Sequence, residues 1–296
     1  MDRPLRIGTR GSPLALAQAR LVADALCTCH GWADEAVEIV PITTSGDRIQ
    51  DRPLAEVGGK ALWTKELDRC LLDGRTDLSV HSMKDVETVR PETLAIAAVL
   101  PRADPRDRLV GADSVAALAQ GARVGTSSPR RSAQLLARRP DLRIVTMRGN
   151  VQTRLAKLAR GEADATLLAA AGLDRVGLSE IGTTIDDMIP APSQGAVGVE
   201  VAAKGGEIRA LVEAIDDAAT HRCVDAERAF LAAIGGDCRS AVAAHAHCDA
   251  GRIWLRAEIL LPDGSEVRGA EGDDPAALAR ALLDAASPAL RALFAG

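Results

Sequence analysis

The sequence of 296 residues is poor in aromatic side chains, which make up 2% of it, and it contains no tyrosine. Proteins that bind single-stranded nucleic acid stack bases on such side chains, so this composition argues against that partner. The formal net charge of -5 argues against DNA as well, because a duplex backbone requires an extended basic surface. We therefore expect no nucleic-acid partner.

The sequence also lacks an apolar run long enough to span a membrane, and its opening, M-D-R-P-L-R-I-G-T-R, has no signal core. We expect no membrane partner and a cytoplasmic location. In the cytoplasm disulfides are rare, so we expect the six cysteines to be free thiols. Cysteine and histidine cluster at 27–30 and at 245–248, but neither group has zinc-finger spacing, so we expect no metal site.

Arginine, in contrast, is concentrated in residues 123–154, R-V-G-T-S-S-P-R-R-S-A-Q-L-L-A-R-R-P-D-L-R-I-V-T-M-R-G-N-V-Q-T-R. This stretch holds eight arginines and one acidic residue, Asp141. Its pattern predicts a strand, a turn and a helix, twice over. In the first repeat Ser128 is a good N-cap and Pro129 suits the first helical position. The second repeat runs through Arg148 to a helix that carries Arg154.

Arg130 and Arg131 fall in the first helical turn, where the helix dipole disfavours a cation unless an anion is bound. Free backbone N–H groups and guanidinium groups at one helix end form an anion site. Open α/β sheets bind ligands at strand-to-helix turns, so arginines at two such turns favour a binding site over a solvated basic face. The sequence predicts a small polyanionic ligand.

The sequence opens with a similar stretch. Residues 6–19, R-I-G-T-R-G-S-P-L-A-L-A-Q-A, match residues 123–137 closely once one gap is allowed, with Ser12 as the N-cap and Pro13 in the first helical turn. This likeness is either a coincidence of common βα chemistry or the mark of two similar α/β lobes. With two lobes, Arg10 and Ser12 would face Ser128 and Arg130 across a cleft.

Asp85 follows a predicted strand at 77–81 directly, and Lys84 precedes it. A carboxylate at this end of a strand would point into the cleft of an open sheet, although many loop aspartates only cap turns. Residues 44–61 form a long polar segment, which we expect to be a mobile or functional loop. Lys60 in that loop adds a cation beside a pair of glycines.

Two crossover segments, at 101–108 and 190–195, divide the chain. We therefore predict an α/β fold with two periplasmic-binding-protein-like lobes, a hinged cleft and a small α+β C-terminal domain. The predicted bounds are 1–100 with 195–217 for the first lobe, 101–194 for the second lobe and 218–296 for the C-terminal domain.

Cys238 is the unusual feature of the C-terminal domain, in the loop G-G-D-C-R-S. Its neighbour Arg239 would raise its thiolate fraction, and its other neighbour Asp237 would oppose that effect. An inert loop thiol is the alternative.

Seven segments carry a resemblance that runs in order along the whole chain: T-R-G-S-P-L-A-L-A-Q, E-V-G-G-K-A-L-W-T-K-E-L, V-H-S-M-K-D-V, D-P-R-D, V-G-T-S-S-P-R-R, M-R-G-N-V-Q-T-R-L and Q-G-A-V-G-V-E. The sequence resembles the porphobilinogen deaminase (hydroxymethylbilane synthase) family. It departs from the family pattern at Trp63, Glu87, Asp237 and Ala241, where Phe, Pro, Gly or Ser, and Pro are more usual.

The resemblance implies a monomeric transferase that joins four porphobilinogen molecules head to tail, with loss of ammonia, into hydroxymethylbilane for tetrapyrrole (haem and chlorophyll) biosynthesis. It implies a dipyrromethane cofactor, attached by a thioether to Cys238, and it implies Asp85 as the catalytic residue. The other cofactor-binding positions that it implies are Lys84, Thr126, Ser128, Arg130, Arg131, Arg148 and Ala169. The substrate-binding positions that it implies are Arg10, Ser12, Lys60, Arg148, Arg154 and Arg175.

Two other functions fit parts of the pattern. A clamshell that only captures a small anion would have the same lobes, so the fold alone does not distinguish it from the enzyme. Release of ammonia and a covalent pyrrole mass on Cys238 would do so. A nucleic-acid protein that uses the arginine stretch would show a steep dependence of DNA affinity on salt.

Overall fold

The structure, a computed structural model, describes residues 3–44 and 64–294. The expected loop at 44–61 lies outside these residues, apart from Thr44. Lys60, an expected substrate-binding residue, and Trp63, which departs from the family pattern, also lie outside them. The chain folds into two compact units, Met1–Ala103 with Ala196–His221 and Asp104–Gly195 with Arg222–Gly296.

The strands of the described residues are β1 Leu5–Arg10, β2 Val37–Ile42, β3 Leu78–Ser82, β4 Leu94–Val99, β5 Asp107–Val110, β6 Arg123–Gly125, β7 Arg143–Val145, β8 Ala165–Ala169, β9 Thr183–Ile185, β10 Val197–Ala202, β11 Val242–Asp249, β12 Arg252–Leu260 and β13 Val267–Gly272. The helices are α1 Pro13–His30, α2 Lys65–Leu72, α3 Pro129–Arg138, α4 Val151–Ala159, α5 Ala170–Arg175, α6 Gly206–Glu213, α7 Ala218–Ala233, α8 Pro275–Ala285 and α9 Pro288–Ala292. Short 3-10 turns cover Asp34–Ala36 and Met83–Asp85. No helix in these ranges is long and apolar enough to cross a membrane.

The two larger sheets have the same topology. The first unit has the strand order β2-β1-β3-β10-β4, and the second unit has the order β7-β6-β8-β5-β9. In each sheet the first three strands are parallel, and the fourth is antiparallel to both of its neighbours. The prediction of two similar α/β lobes is therefore confirmed.

The helix starts that the sequence predicts are capped as expected. The Ser12 Oγ accepts a hydrogen bond from the Ala15 backbone at 3.3 Å, and α1 begins at Pro13. The Ser128 Oγ accepts one from the Arg131 backbone at 3.4 Å, and α3 begins at Pro129. Each cap satisfies a backbone N–H that the helix leaves unpaired.

Both sheets bury aliphatic side chains against helices. In the first unit Ile7 and Val199 on the sheet join Leu26 of α1 in one cluster. In the second unit Val124 on the sheet joins Leu135 of α3. Burial of each such side chain stabilises the fold by about 1.5–3 kcal/mol, so these clusters fix the helices on the sheets.

A third, antiparallel sheet, in the order β11-β12-β13, forms the small α+β region predicted at the C-terminus. Its core includes Phe230 of α7, which is fully buried, and Leu282 of α8. Gly264 lies in the predicted hairpin turn, with a φ of 74°. A side chain there would collide with the backbone of Ala137, so this turn lies directly on α3.

The first crossover is shorter than predicted. Its predicted end is residue 108, whereas β5 begins at Asp107. Strands β5 and β9 were not predicted, because they have only 4 and 3 residues and offer no alternation to detect. This error matters for the site, because Asp107 pairs with Ala169 across the sheet.

Candidate active site

Asp85 lies in the 3-10 turn that follows β3 directly. The turn begins where the Met83 backbone donates to the Ala196 carbonyl at 3.1 Å. The Met83 side chain is buried and occupies space that exists because residue 198 is a glycine. Met83 thus fixes the backbone two residues before the carboxylate.

A cavity of about 60 Å³ in the first unit brings together three of the expected site residues, Arg10, Ser12 and Asp85. Its other polar lining residues are Gln18, Thr64, His81 and Ser82. Asp85 is half-buried, and within the described ranges no side chain forms a hydrogen bond or ion pair with its carboxylate. This cavity therefore offers a cation, a hydroxyl and a carboxylate to one ligand. Lys84 is half-buried and is not part of the lining.

Arg130 and Arg131, at the start of α3, both form ion pairs with Asp107. The distances are 2.8 Å from Arg130 Nη2 to Oδ2 and 2.7 Å from Arg131 Nη2 to Oδ1. All three side chains are buried. Burial alone would raise the pKa of Asp107, but the two guanidinium groups hold it well below its ordinary value.

Two glutamines complete this network. Gln194 donates to Asp107 Oδ1 at 2.7 Å, and Gln134 accepts from Arg130 Nη1 at 2.9 Å. Arg131 Nη1 also donates to the Leu167 carbonyl at 2.7 Å. The Arg130 Nε, in contrast, is buried and has no hydrogen-bond partner in the part of the chain that the structure describes. Asp107 and both glutamines were not predicted as site residues, although the family motifs D-P-R-D and Q-G-A-V-G-V-E contain Asp107 and Gln194.

Thr126, Ser128 and Ala169 surround the same helix start. The Ser128 backbone donates to the Thr126 Oγ1 at 3.1 Å. Ala169 stands at the carboxyl end of β8, opposite Asp107. The fold therefore brings these predicted cofactor-binding positions together with Arg130 and Arg131 in one unit.

The remaining expected ligands lie at two other turns of the second unit. Arg148 precedes α4 and is half-buried. Arg154 on α4 donates through Nε to the Gly149 carbonyl at 2.9 Å. Arg175, at the end of α5, donates to the Gly195 carbonyl at 2.7 Å, and burial lowers the pKa of its guanidinium.

The positive charge of the arginine stretch is smaller in the fold than in the sequence. Besides the pair on Asp107, other arginines of the stretch form ion pairs with described residues, among them Arg123 with Asp164, Arg138 with Asp187 and Arg139 with Asp141. Most of these acids lie outside the stretch in sequence. The count of one acid in 123–154 therefore overstates the positive charge available to a ligand.

Cys238 is an exposed thiol of the second unit and forms no disulfide with any described residue. Arg239 Nη2 lies 2.7 Å from Asp237 Oδ2, and the Arg239 backbone donates to Asp237 Oδ1 at 2.8 Å. This pairing raises the pKa of Arg239 and supports the expectation that Asp237 opposes its effect on the thiol. Across residues 3–44 and 64–294 no group of three metal-binding side chains is found.

Comparison with known proteins identifies one family along most of the chain. Residues 5–210 match the family model for the porphobilinogen deaminase, dipyromethane cofactor binding domain, and residues 221–286 match the model for the porphobilinogen deaminase, C-terminal domain. The chain is 57% identical to a porphobilinogen deaminase of Sphingopyxis alaskensis, over 99% of this chain and 98% of that protein. It is 51% identical to one of Paracoccus denitrificans, over 93% of this chain and 90% of that protein.

A solved periplasmic substrate-binding protein of an ABC transporter from Coxiella burnetii also aligns, with 16% identity and a TM-score of 0.42, over 74% of this chain and 94% of that chain. The sequence matches cover nearly the full length of both chains and both family domains. The chain therefore belongs to the porphobilinogen deaminase family, the enzymes that polymerise porphobilinogen on a dipyrromethane cofactor.

Proposed function

We propose that the second unit of this chain holds the cofactor and the growing pyrrole chain, and that Asp85 of the first unit carries out the chemistry. The reaction condenses four porphobilinogen molecules head to tail, with loss of one ammonia at each step. Each pyrrole ring bears an acetate and a propionate, so each addition brings two negative charges.

The side chains of the second unit fit a thioether-linked, acid-bearing cofactor. Cys238 offers an exposed thiol for the bond. Arg130 offers a buried Nε without a hydrogen-bond partner. Arg130 and Arg131 share the single carboxylate of Asp107, so the three groups together keep one positive charge for an anion. A carboxylate ligand at this helix start would also gain from the helix dipole.

When bound, the cofactor supplies the pyrrole carbon to which the first substrate is joined. The carboxylates and pyrrole rings of the cofactor would be bound by three arginines, two hydroxyls, a lysine and a small residue: Arg130, Arg131, Arg148, Thr126, Ser128, Lys84 and Ala169. Arg154 and Arg175 would bind the carboxylates of added rings, as would Arg10, Ser12 and Lys60. Guanidinium groups suit this task because they bind carboxylates through two hydrogen bonds at once.

Asp85 would stabilise the cation that the substrate becomes when it loses ammonia. A carboxylate about 4 Å from such a cation stabilises it by roughly 4 kcal/mol at an effective dielectric of 20. The carboxylate would also accept a hydrogen bond from the pyrrole N–H and receive the proton lost after the carbon–carbon bond forms.

The observation that supports this role is that Asp85 lines the same cavity as Arg10 and Ser12, and that its carboxylate forms no hydrogen bond or ion pair among residues 3–44 and 64–294. The test is Asp85→Asn, with Asp34→Asn, an exposed residue of the same unit, as the matched control. We expect Asp85→Asn to remain folded and to lose at least about 100-fold in turnover, whereas the control keeps its turnover. Near-normal turnover in Asp85→Asn would exclude this role.

We further propose that the chain acts as a monomer in the cytoplasm, with a C-terminal domain at 218–296, a first lobe of 1–100 with 195–217 and a second lobe of 101–194. The six cysteines, all of them among the described residues, form no disulfide, which suits a reducing compartment. Sedimentation of the purified holoenzyme measures the oligomeric state, and a dimer at micromolar concentration would contradict the proposal. Release of ammonia from porphobilinogen distinguishes the enzyme from a module that only binds anions.

A further inference from the structure

Arg90 lies at the centre of a nearly buried cluster of charges in the first unit. Its Nη1 lies 2.6 Å from Glu87 Oε2 and its Nη2 lies 2.6 Å from Asp68 Oδ1. Its Nε and Nη2 lie 2.8 Å and 2.9 Å from the two carboxylate oxygens of Glu200. One guanidinium group therefore joins three carboxylates that come from three different elements: the segment 83–90, helix α2 and strand β10.

Two further contacts close this cluster. The Thr64 hydroxyl, at the start of α2, donates to Glu87 Oε1 at 2.7 Å. The His81 Nε2, on β3, lies 3.1 Å from Glu200 Oε2. Thr64 and His81 also line the cavity that contains Asp85. The cluster thus forms part of the wall of the site and reaches the sheet behind it.

Asp85 itself has no such support. Within the described ranges its carboxylate forms no hydrogen bond or ion pair, so its direction depends on the backbone that carries it. On one side Met83 fixes that backbone through the Ala196 carbonyl. On the other side Glu87 follows Asp85 by two residues, which places it within about 7 Å along the chain. Arg90 binds Glu87 directly and is itself bound to the sheet through Glu200.

We propose that Arg90 is a positioning residue, which holds the segment 83–90 through Glu87, Asp68 and Glu200 so that the Asp85 carboxylate points into the cavity. This inference rests on the catalytic role proposed for Asp85. The rate of a catalysed step depends steeply on where the catalytic group lies. A displacement of the Asp85 carboxylate by about 1 Å can reduce the rate about 100-fold. Arg90 is not among the residues that line the cavity, so it would affect turnover from outside the site.

The test compares two variants with two matched controls in the holoenzyme. Arg90→Gln removes the central charge, and Glu87→Gln removes the negative charge of the carboxylate that binds both Arg90 and the Thr64 hydroxyl. The second variant is needed because Arg90→Gln leaves three carboxylates together and can impair folding. The controls are Arg209→Gln and Glu213→Gln, which break an exposed ion pair of the same unit, 2.7 Å long, with the same chemical changes.

For folded Glu87→Gln we expect kcat to fall about tenfold while KM for porphobilinogen stays within about twofold. The variant should still bind the substrate normally, but it should stabilise the transition state less. Folded Arg90→Gln should show a larger fall in kcat. Both controls should match the wild type. A Glu87→Gln enzyme with normal kcat and only a lowered unfolding midpoint would overturn the proposal, because a purely structural role predicts that result.

Coupling to Asp85 is measured in the Asp85→Glu background, where the carboxylate is already displaced. We compare the fold-loss of kcat that Glu87→Gln causes in the two backgrounds. We expect this fold-loss to be about threefold smaller in Asp85→Glu than in the wild type. Equal factors in both backgrounds would mean that the cluster acts independently of Asp85, and the inference would fail. The Asp85→Asn variant alone tests the catalytic role, so a failure of that role is recognised separately.

Discussion

Arg131 and Asp107 are joined by two hydrogen bonds inside the second unit, 2.7 Å from Nη2 to Oδ1 and 3.2 Å from Nε to Oδ2. Asp107 Oδ2 also accepts from Arg130 Nη2 at 2.8 Å. The two arginines at the start of α3 are thus held by a carboxylate of the protein before any ligand binds. Their place in the first helical turn, where cations are disfavoured, is stable for this reason.

Asp107→Asn should destabilise the enzyme by about 3–5 kcal/mol, because it leaves two buried guanidinium groups facing a neutral amide. Denaturant unfolding at neutral pH measures this loss. The matched control is Asp164→Asn, whose partner Arg123 is exposed and whose loss should be far smaller. Equal losses in the two variants would show that the buried pairs contribute no more than a surface pair.

The same carboxylate predicts how stability depends on pH. The folded pKa of Asp107 lies well below its ordinary value, so its stabilisation is complete above a pH of about 3.9 and is lost as the pH falls further. The difference in unfolding free energy between the wild type and Asp107→Asn should therefore shrink as the pH falls below about 4. A constant difference at acid pH would contradict the lowered pKa.

Cys238→Ser should abolish the covalent pyrrole adduct, because an alcohol at this position forms no thioether. Intact mass of the purified chain measures the adduct. Cys29→Ser is the control, because Cys29 is also an exposed thiol. Its mass should show the same adduct as the wild type. An adduct retained in Cys238→Ser would place the attachment on another side chain.

Gly264→Ala should destabilise the second unit by about 1–3 kcal/mol, because the new side chain collides with the α3 backbone. Gly251→Ala is the matched control, because its φ of 79° is similar and nothing lies within 4 Å of the added carbon. Unfolding midpoints of the two variants separate the collision from backbone strain. Equal midpoints would show that the hairpin turn yields without cost.

Local chemistry predicted much of the site. Ser12 and Ser128 were expected to cap helices, and they do, because capping depends only on residues a few positions apart. The position of Asp85 directly after a strand was expected for the same reason. The likeness of residues 6–19 to 123–137 likewise predicted two sheets of one topology.

The ion pairs of Asp107 and Glu200 were not predictable, because their partners are remote in sequence. Asp107 is 23 positions from Arg130, and Glu200 is 110 positions from Arg90. No pattern in the sequence specifies which acid each arginine meets, and β5, which carries Asp107, is too short to show a period.

The sequence by itself determined the helix starts, the two similar sheets, the family and the residue types that the reaction needs, because caps, periodicity and motifs are properties of neighbouring residues. Only the tertiary structure decided which charges remain for a ligand. Arg130 and Arg131 share Asp107, and Arg90 gathers Asp68, Glu87 and Glu200, because folding brings distant charges into a buried environment where each must find a partner.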